Sequence, residues 1–541
     1  MAGRERKGST VSAQDVAKAE GEEDALAQLG YQQELKRSFG LVSMVGFSFS
    51  IVTCWTALSG VLIIGVTSGG PPVMVWSWLG ICAFSLAVAY SMAEMCSAYP
   101  VAGGQYSWAA ILAPPKVART FSYVNGWFML IGILAMGATN NFVTANFICG
   151  MANLAFPGYE ITRWQATLVA YAVGIFALSF NVFTPRLLDN ASKVLLVWNV
   201  ASFIIVIVTV LACNDHKQSA EFVFQDFVNF SGFNRPYAAI IGLLNTGFGM
   251  CCYDAPSHMT EEINDARRQA PRAIILSVFI GAFTGFVFLI AICFCIGNIE
   301  ETAASTTGVP LIQIFYDSTG SRAGAICLTV LITVICVGAS NALTAEGGRA
   351  VYAFARDRGL PFSGLFSKVD KKKSIPVFAL ILTVIVQLAL NSIYFGTLTG
   401  FETVVSIATL GFYVSYAMPL LARLLSSFTG THTDIQGLYN LGKFSVPLNV
   451  IGLLYLVFLS ITFNFPTTYP VTSENMNYTC AAIGIIMLIA AVTWVTTGRK
   501  QFRGPEAGDV FIDGREPRVP ETTTSSDENT NLESGEKARR L

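Results

Sequence analysis

Asp254 is a carboxylate inside an apolar run. It lies in "MCCYDAPSHMTEE" (250–262), which closes a stretch that begins at Pro236. A charged carboxylate at bilayer depth costs about 2.5 kcal/mol or more, so it marks a functional site by default. Burial penalises the charged form, which suits a group that is reversibly protonated. The bland alternative is a carboxylate in a wet vestibule with a nearby Arg as partner. Two further acidic residues raise the same question. Glu346 ends an apolar run with Arg349 one turn on, a spacing that can mean proton coupling, gating or simply a local i,i+3 pair. Glu94 ends another run and reads as a gate or a packing contact. His216, His258 and His432 show no metal-ligand spacing, although His258 falls four residues after Asp254, on nearly the same helix face. The twelve cysteines include no CxxC and read as small buried residues. No metal and no other cofactor is expected.

The elements that must position these groups are membrane helices. The 541-residue chain is 53% hydrophobic and only 13% charged, with a mean hydropathy of +0.54. Its net charge of −1 gives no hint of a nucleic-acid partner. A bilayer core needs about 20 apolar residues per helix. Twelve spans are predicted, near 43–65, 74–95, 121–149, 165–183, 194–213, 237–259, 273–297, 323–346, 375–394, 402–422, 445–464 and 478–497. The polar first forty residues contain no cleavable signal, so the first span is expected to act as its own. The tail from about 499 is too polar to bury a core and reads as disordered.

Lys and Arg are asymmetric about these spans. Connections 2–3, 4–5, 6–7, 8–9 and 10–11 hold 16 of them, the opposite connections hold 4, and the tails hold the other 14. The positive-inside rule then places both termini in the cytoplasm of a multi-pass, plasma-membrane protein. The basic run "KVDKKKS" (368–374) suits anionic lipid. Sequons at Asn229 and Asn477 fall on the outer side and are compatible with N-glycosylation.

Spans 1 and 6 are interrupted by small and polar residues: Ser48, Ser50, Thr53 and Thr56 in the first, Asn245, Thr246, Gly247, Gly249, Asp254 and Pro256 in the second. Non-helical backbone at membrane depth survives only where it is buried or lines a cavity. Broken helices at matching positions of two inverted halves point to a binding site. Asp254 is expected where span 6 unwinds.

Four stretches carry a resemblance. "YSMAEMCSAYPVAGGQYSWAAILAP" (90–114), "YDAPSHMTEEINDARRQAPRAI" (253–274), "GGRAVYAFARDRGLP" (347–361) and "LGYQQELKRSFG" (29–40) are similar to segments of the amino acid–polyamine–organocation transporters, most of all the fungal branch with GABA and choline permeases. The resemblance covers about residues 29–500 and includes a Pro that opens helix 7. It implies an all-α, leucine-transporter-like fold: a 1–40 tail, a first five-helix repeat over 41–213, an inverted second over 237–424, helices 11 and 12 over 445–497, and a 499–541 tail. The implied function is secondary active transport, a proton-coupled symporter importing an amino acid or GABA. Choline or another organic amine is the alternative. The family implies substrate contacts at Val52, Thr53, Trp55 and Thr56 and at Met250, Cys252, Tyr253 and Asp254. Trp55 and Tyr253 could offer ring faces to an alkylammonium group, or could simply pack. The family's cation position implies Ser340, Asn341 and Thr344 on helix 8 with Asn199 and Ser202 on helix 5. A mid-helix-5 lysine found in some proton-coupled relatives is absent here, since Lys193 lies near that helix's end. No HExxH, GxSxG or P-loop supports an enzyme. Tails of about 40 residues are short for a transporter-like nutrient sensor.

Overall fold

The computed structural model describes residues 39–502, except for 157, 185, 186, 304, 306, 397–399, 430–436 and 474, together with 35, 37 and 504. The tails, most of the 29–40 stretch and His432 therefore lie outside the described residues. Helices dominate: α1 (Leu41–Ile51), α2 (Cys54–Gly60), α3 (Leu62–Thr67), α4 (Gly70–Ala98), α5 (Gln105–Leu112), α6 (Pro115–Ala155), α7 (Arg163–Phe183), α8 (Leu188–Cys213), α9 (Arg235–Gly249), α10 (Ala255–His258), α11 (Ala266–Cys295), α12 (Pro310–Thr319), α13 (Arg322–Arg356), α14 (Val377–Asn391), α15 (Gly400–Thr429), α16 (Ser445–Thr462) and α17 (Thr479–Thr493). Among the described residues, eleven helices are long and apolar enough to cross a membrane. The predicted span 237–259 is not among them, because its helix stops at Gly249 and resumes only as the single turn of α10.

Burial separates centre from rim. Most of the apolar window is buried in α6 (89%) and in α15 (78%), whereas the window of the α8 span is only 22% buried. On α8 the exposed Val194, Val197, Ile204, Ile205 and Val208 form an outward apolar face. Such a face belongs in lipid. The close approach of α6 and α15 is set by glycine: a Cβ on Gly132 would stand 2.8 Å from the Phe412 backbone nitrogen.

Two pairings tie the connections together. Strand β1 (Ser68–Gly69) pairs antiparallel with β2 (Val228–Asn229), joining connections 1–2 and 5–6. Phe39 bridges Ile263, joining the N-terminal approach to connection 6–7. Each pairing links segments that the Lys/Arg asymmetry assigns to one side.

One detail corrects the sequence reading. Pro271 does not open its helix; α11 begins at Ala266, and Pro271 lies inside it. Proline cannot donate to the carbonyl four residues back. That carbonyl, of Arg267, accepts instead from the Ser97 hydroxyl of α4 at 2.9 Å.

Candidate functional site

Both interruptions are real breaks. After α1 the chain passes through Val52 and Thr53 before helix resumes at Cys54. A ladder of hydroxyls follows. Thr53 donates to the Ser50 carbonyl (3.1 Å), Thr56 to Thr53 (3.0 Å) and Ser59 to Thr56 (2.6 Å). The Thr53 carbonyl also accepts the Thr56 and Ala57 amides at 3.0 and 2.8 Å, so the hydroxyls add to backbone bonds around the break. The hydroxyls of Thr53 and Thr56 are therefore engaged within their own segment.

The second break runs from Met250 to Asp254, with Cys252 at φ +64°, unusual for a residue that carries a Cβ. The carbonyl of Gly247 gathers the donors that the break frees: the Met250 amide at 3.3 Å and the Cys251 thiol at 3.1 Å, with the Tyr413 hydroxyl at 2.9 Å. The Asn245 side chain donates to the Val61 carbonyl at 2.8 Å, which ties α9 to the α2–α3 junction.

Asp254 is fully buried at the end of this break, and among the described residues no Arg reaches it. Its Oδ1 accepts from the Tyr416 hydroxyl of α15. Its Oδ2 accepts from the Gln105 amide of α5 and lies 3.1 Å from His258 Nε2. The other ring nitrogen of His258, Nδ1, faces the Ala102 carbonyl at 3.2 Å. A carbonyl can only accept, so Nδ1 carries hydrogen. One proton then remains between Nε2 and Oδ2, and its place decides between an ion pair and a neutral pair. Gly104 makes this approach feasible. Its φ is +56°, and a Cβ there would stand 2.8 Å from Ser257 Oγ and 2.9 Å from His258 Cε1.

Glu346 completes the group. One donor atom each from Asp254, His258 and Glu346 lie within 4.8 Å of one another, a cluster that could hold a metal ion. Linear spacing showed no such set, because Glu346 comes from a helix about ninety residues away. The expected local pair with Arg349 is not made. Arg349 gives Nε and Nη2 to Glu262 and Nη1 to the Ala345 carbonyl. Neither oxygen of the buried Glu346 has a hydrogen-bond partner among the described residues.

Other expected site residues are dispersed. Trp55 is fully buried; its Nε1 donates to Asn199 Oδ1 at 2.8 Å, and its ring packs against Phe203 and Phe288. Tyr253 is buried with its ring 5.0 Å from that of Tyr416. Val52, Met250, Cys252 and Ser202 are buried. Ser340 Oγ accepts from Asn140 of α6 at 2.8 Å, and the Asn341 carbonyl accepts from Asn181 of α7 at 3.0 Å. The hydrogen bonds of Asn199 and Ser340 thus lead to different neighbours rather than to one shared point. Thr344 Oγ1 and Asn341 Oδ1 have no partner among the described residues. Glu94 is buried in a network with Arg423 (2.5 Å), the Leu441 amide (3.0 Å) and the Ser445 hydroxyl (2.6 Å).

The side-chain amides of both sequons are turned inward. Asn229 Nδ2 donates to the Phe233 carbonyl at 2.7 Å, and Asn477 Nδ2 to the carbonyls of Phe463 and Phe465 at 2.9 and 3.1 Å. Sequence reasoning missed Gln105 and Tyr416 as partners of Asp254. The Gly-Gly step before Gln105 was a usable signal; Tyr416 had none.

Residues 39–489 match the amino acid permease family. A Macrophomina phaseolina protein provisionally named an amino acid/polyamine transporter is 64% identical over 440 residues, covering 81% of this chain and 97% of the relative. The choline transporter of Saccharomyces cerevisiae is 32% identical over 477 residues, covering 88% and 84%. An amino-acid permease of Arabidopsis thaliana is 29% identical over 496 residues, covering 89% and 95%. These relatives are named for transport rather than catalysis. The chain is therefore a multi-pass membrane transporter, not an enzyme, and belongs to the amino acid permease family of the amino acid–polyamine–organocation transporters.

Proposed function

We propose that the protein is a proton-coupled symporter that imports an amino acid, GABA or a related small amine, and that Asp254 carries the coupling proton with His258 as its partner. The observation that carries this reading is the 3.1 Å contact between His258 Nε2 and Asp254 Oδ2 at a fully buried helix break. Adding a proton to this pair or removing one changes the net buried charge, whereas shifting a proton between the two partners does not. The groups facing Asp254 are Gln105, Tyr416, His258 and Glu346. The first two are neutral donors, Gln105 to Oδ2 and Tyr416 to Oδ1, so a neutral Asp254–His258 pair is tolerable in the closed state. An ionised Asp254 with a neutral His258 needs water or a cation and favours an open one.

The architecture proposed for this cycle is a pair of inverted five-helix repeats over 41–213 and 237–424, with helices 11 and 12 over 445–497. The matching breaks at Val52–Thr53 and Met250–Asp254, five spans apart, support it. The Lys/Arg asymmetry supports cytoplasmic termini, with the basic run 368–374 against anionic lipid; the plasma membrane is the proposed location for an importer. The substrate is placed between the two breaks. Choline uptake is the second reading, supported by the yeast choline transporter among the relatives.

The test is reconstitution in vesicles under an imposed pH gradient. Asp254→Asn fixes the neutral form. It should retain substrate binding and exchange, lose accumulation against a gradient and flatten the dependence of uptake on outer pH. A variant that still concentrates substrate like the parent would move the coupling to Glu346 or Glu94.

A further inference from the structure

The end of α13 carries a feature that the transport site does not use. α13 stops at Arg356, Asp357 caps it, and Arg358 follows at φ +61°. The Arg358 amide donates to the Ala355 carbonyl at 3.0 Å, and the Gly359 amide to the Phe354 carbonyl at 2.9 Å. Many helices end on one residue in this left-handed conformation, and glycine is the usual choice. A side chain there crowds the following carbonyl, a cost that glycine avoids. The helix dipole favours a cation at a C-terminus, but Arg356 already supplies one to the last turn.

Beside Arg358 lies a cavity of about 470 Å³, within the range of about 300–1,000 Å³ found for small-molecule sites. The end of α13 and the chain after it contribute Arg356, Arg358, Ser363 and Ser367 to its walls. The turns that extend α17 to Gln501 contribute Thr497 and Gln501. No acidic side chain is among the described residues that line it. Arg356 is committed to Glu261 at 3.0 Å. Asp357 is buried and accepts from the Tyr106 hydroxyl at 2.7 Å. Arg358 is exposed and makes no ion pair with a described residue. An unspent guanidinium beside hydroxyl and amide groups suits a phosphate that carries further polar groups.

The rim of the cavity is apolar and faces outward. Phe362, at φ +56°, is 81% exposed. Val492 and Val495 on the last span are exposed as well, and the apolar window of that span is only 17% buried. Such surface belongs in lipid. A soluble anion would use the polar wall and leave this rim in water, whereas a phospholipid uses both.

We propose that this cavity receives the headgroup of an anionic phospholipid, with Arg358 on its phosphate and the acyl chains along Phe362 and Val495. The site is distinct from the basic run 368–374, which attracts a charged surface without lining the cavity. The headgroup ties the end of α13, the helix of Glu346 and Arg349, to the last span.

The test uses the purified full-length protein in a neutral detergent, with native mass spectrometry reading bound lipid. Phosphatidylinositol is the probe, because its ring hydroxyls suit Ser363, Ser367, Thr497 and Gln501. Phosphatidylcholine with the same acyl chains is the control. The parent should bind phosphatidylinositol about tenfold more tightly, and Arg358→Gln should remove that preference, as expected for one lost charge-assisted hydrogen bond. Lys371→Gln, Lys372→Gln and Lys373→Gln combined remove three charges and should weaken binding less. Equal binding of the two lipids by the parent overturns the proposal. So does a larger loss in the combined lysine variant than in Arg358→Gln. Glycerophosphoinositol, the headgroup without its chains, should compete poorly. If it displaces the lipid at equal concentration, this is a soluble-anion site and the lipid assignment falls. Should Arg358→Gln not fold, Phe362→benzoylphenylalanine reads the occupant directly. Irradiation in intact membranes should crosslink it to phospholipid. A crosslink confined to the protein's own chain after residue 502 overturns the proposal.

Discussion

Two sets of carboxylates in this protein are equally buried and oppositely provided for. At the end of the bundle that bears the basic connections, Glu94, Glu261 and Glu262 are 1%, 2% and 7% exposed, and each is bound by an arginine: Arg423, Arg356 and Arg349. At and beside the broken helix, Asp254 and Glu346 are wholly inaccessible, and among the described residues no arginine bonds to either. Burial by itself therefore does not mark a transport site. The first set is a clamp. Glu94 joins α4 to α15 and to the start of α16, while Glu261 and Glu262 join the end of the broken helix to α13. The second set has no such clamp among the described residues, as the proposed coupling role requires.

The comparison is broken most directly at Arg349. Arg349→Ala leaves Glu262 buried and unpaired, which costs about 3–5 kcal/mol for a buried pair. The melting temperature of the purified protein should fall sharply, and further than for Arg356→Ala, whose side chain is 17% exposed and closer to solvent screening. Removing the Glu346 carboxylate should do the opposite, since no partner is left behind. If Arg349→Ala melts with the parent, the clamp is not holding the closed end, and the contrast between the two sets disappears.

A smaller effect sharpens the picture of helix 1. The sequence suggested that Trp55 offers its ring to substrate. In this structure it donates to Asn199 and packs between Phe203 and Phe288. Truncation to Ala would thus remove core packing and reveal little about recognition. Trp55→Phe is the informative change. It keeps an aromatic ring and leaves Asn199 Oδ1 unpaired, a loss of about 1–3 kcal/mol in stability. Stability should drop while the KM for substrate stays within about twofold of the parent, a shift too small to reflect a lost contact. A large KM change at unaltered stability would return Trp55 to the binding site.

The fold was largely legible because membranes impose a simple code. Length, apolarity and Lys/Arg asymmetry located the spans, and Pro256 with Gly247 and Gly249 located the break that shortens α9. The partners in the site were much less legible. Gln105 and Tyr416 reach Asp254 from segments 149 and 162 positions distant in sequence, and periodicity carries no information about such meetings; His258, four residues on, was the one neighbour that helical spacing brought near. The Glu346–Arg349 spacing even pointed the wrong way. A helical i,i+3 pair was available, but a bidentate contact with Glu262 gives the guanidinium a better acceptor geometry. Pro271 misled for a related reason. A proline within a helix is tolerated where another donor reaches the orphaned carbonyl, and Ser97 lies in a different helix.

The smallest expected effect concerns the sequons, where the same accounting of partners applies to a neutral side chain. Asn477 is 8% exposed and bridges the approach to α17. Its Nδ2 donates to Phe463 and Phe465, and its Oδ1 accepts from the Thr479 amide and hydroxyl at 3.1 and 2.6 Å. A glycan on that nitrogen would remove a donor and force a bulky sugar into a packed turn. Endoglycosidase treatment should leave the electrophoretic mobility of the protein unchanged. Asn477→Gln should lower stability by about 1–2 kcal/mol, the worth of a pair of ordinary hydrogen bonds, with mass and uptake otherwise like the parent. A mobility shift that Asn477→Gln abolishes would mean that the chain carries sugar there and that this turn adopts another arrangement in the membrane.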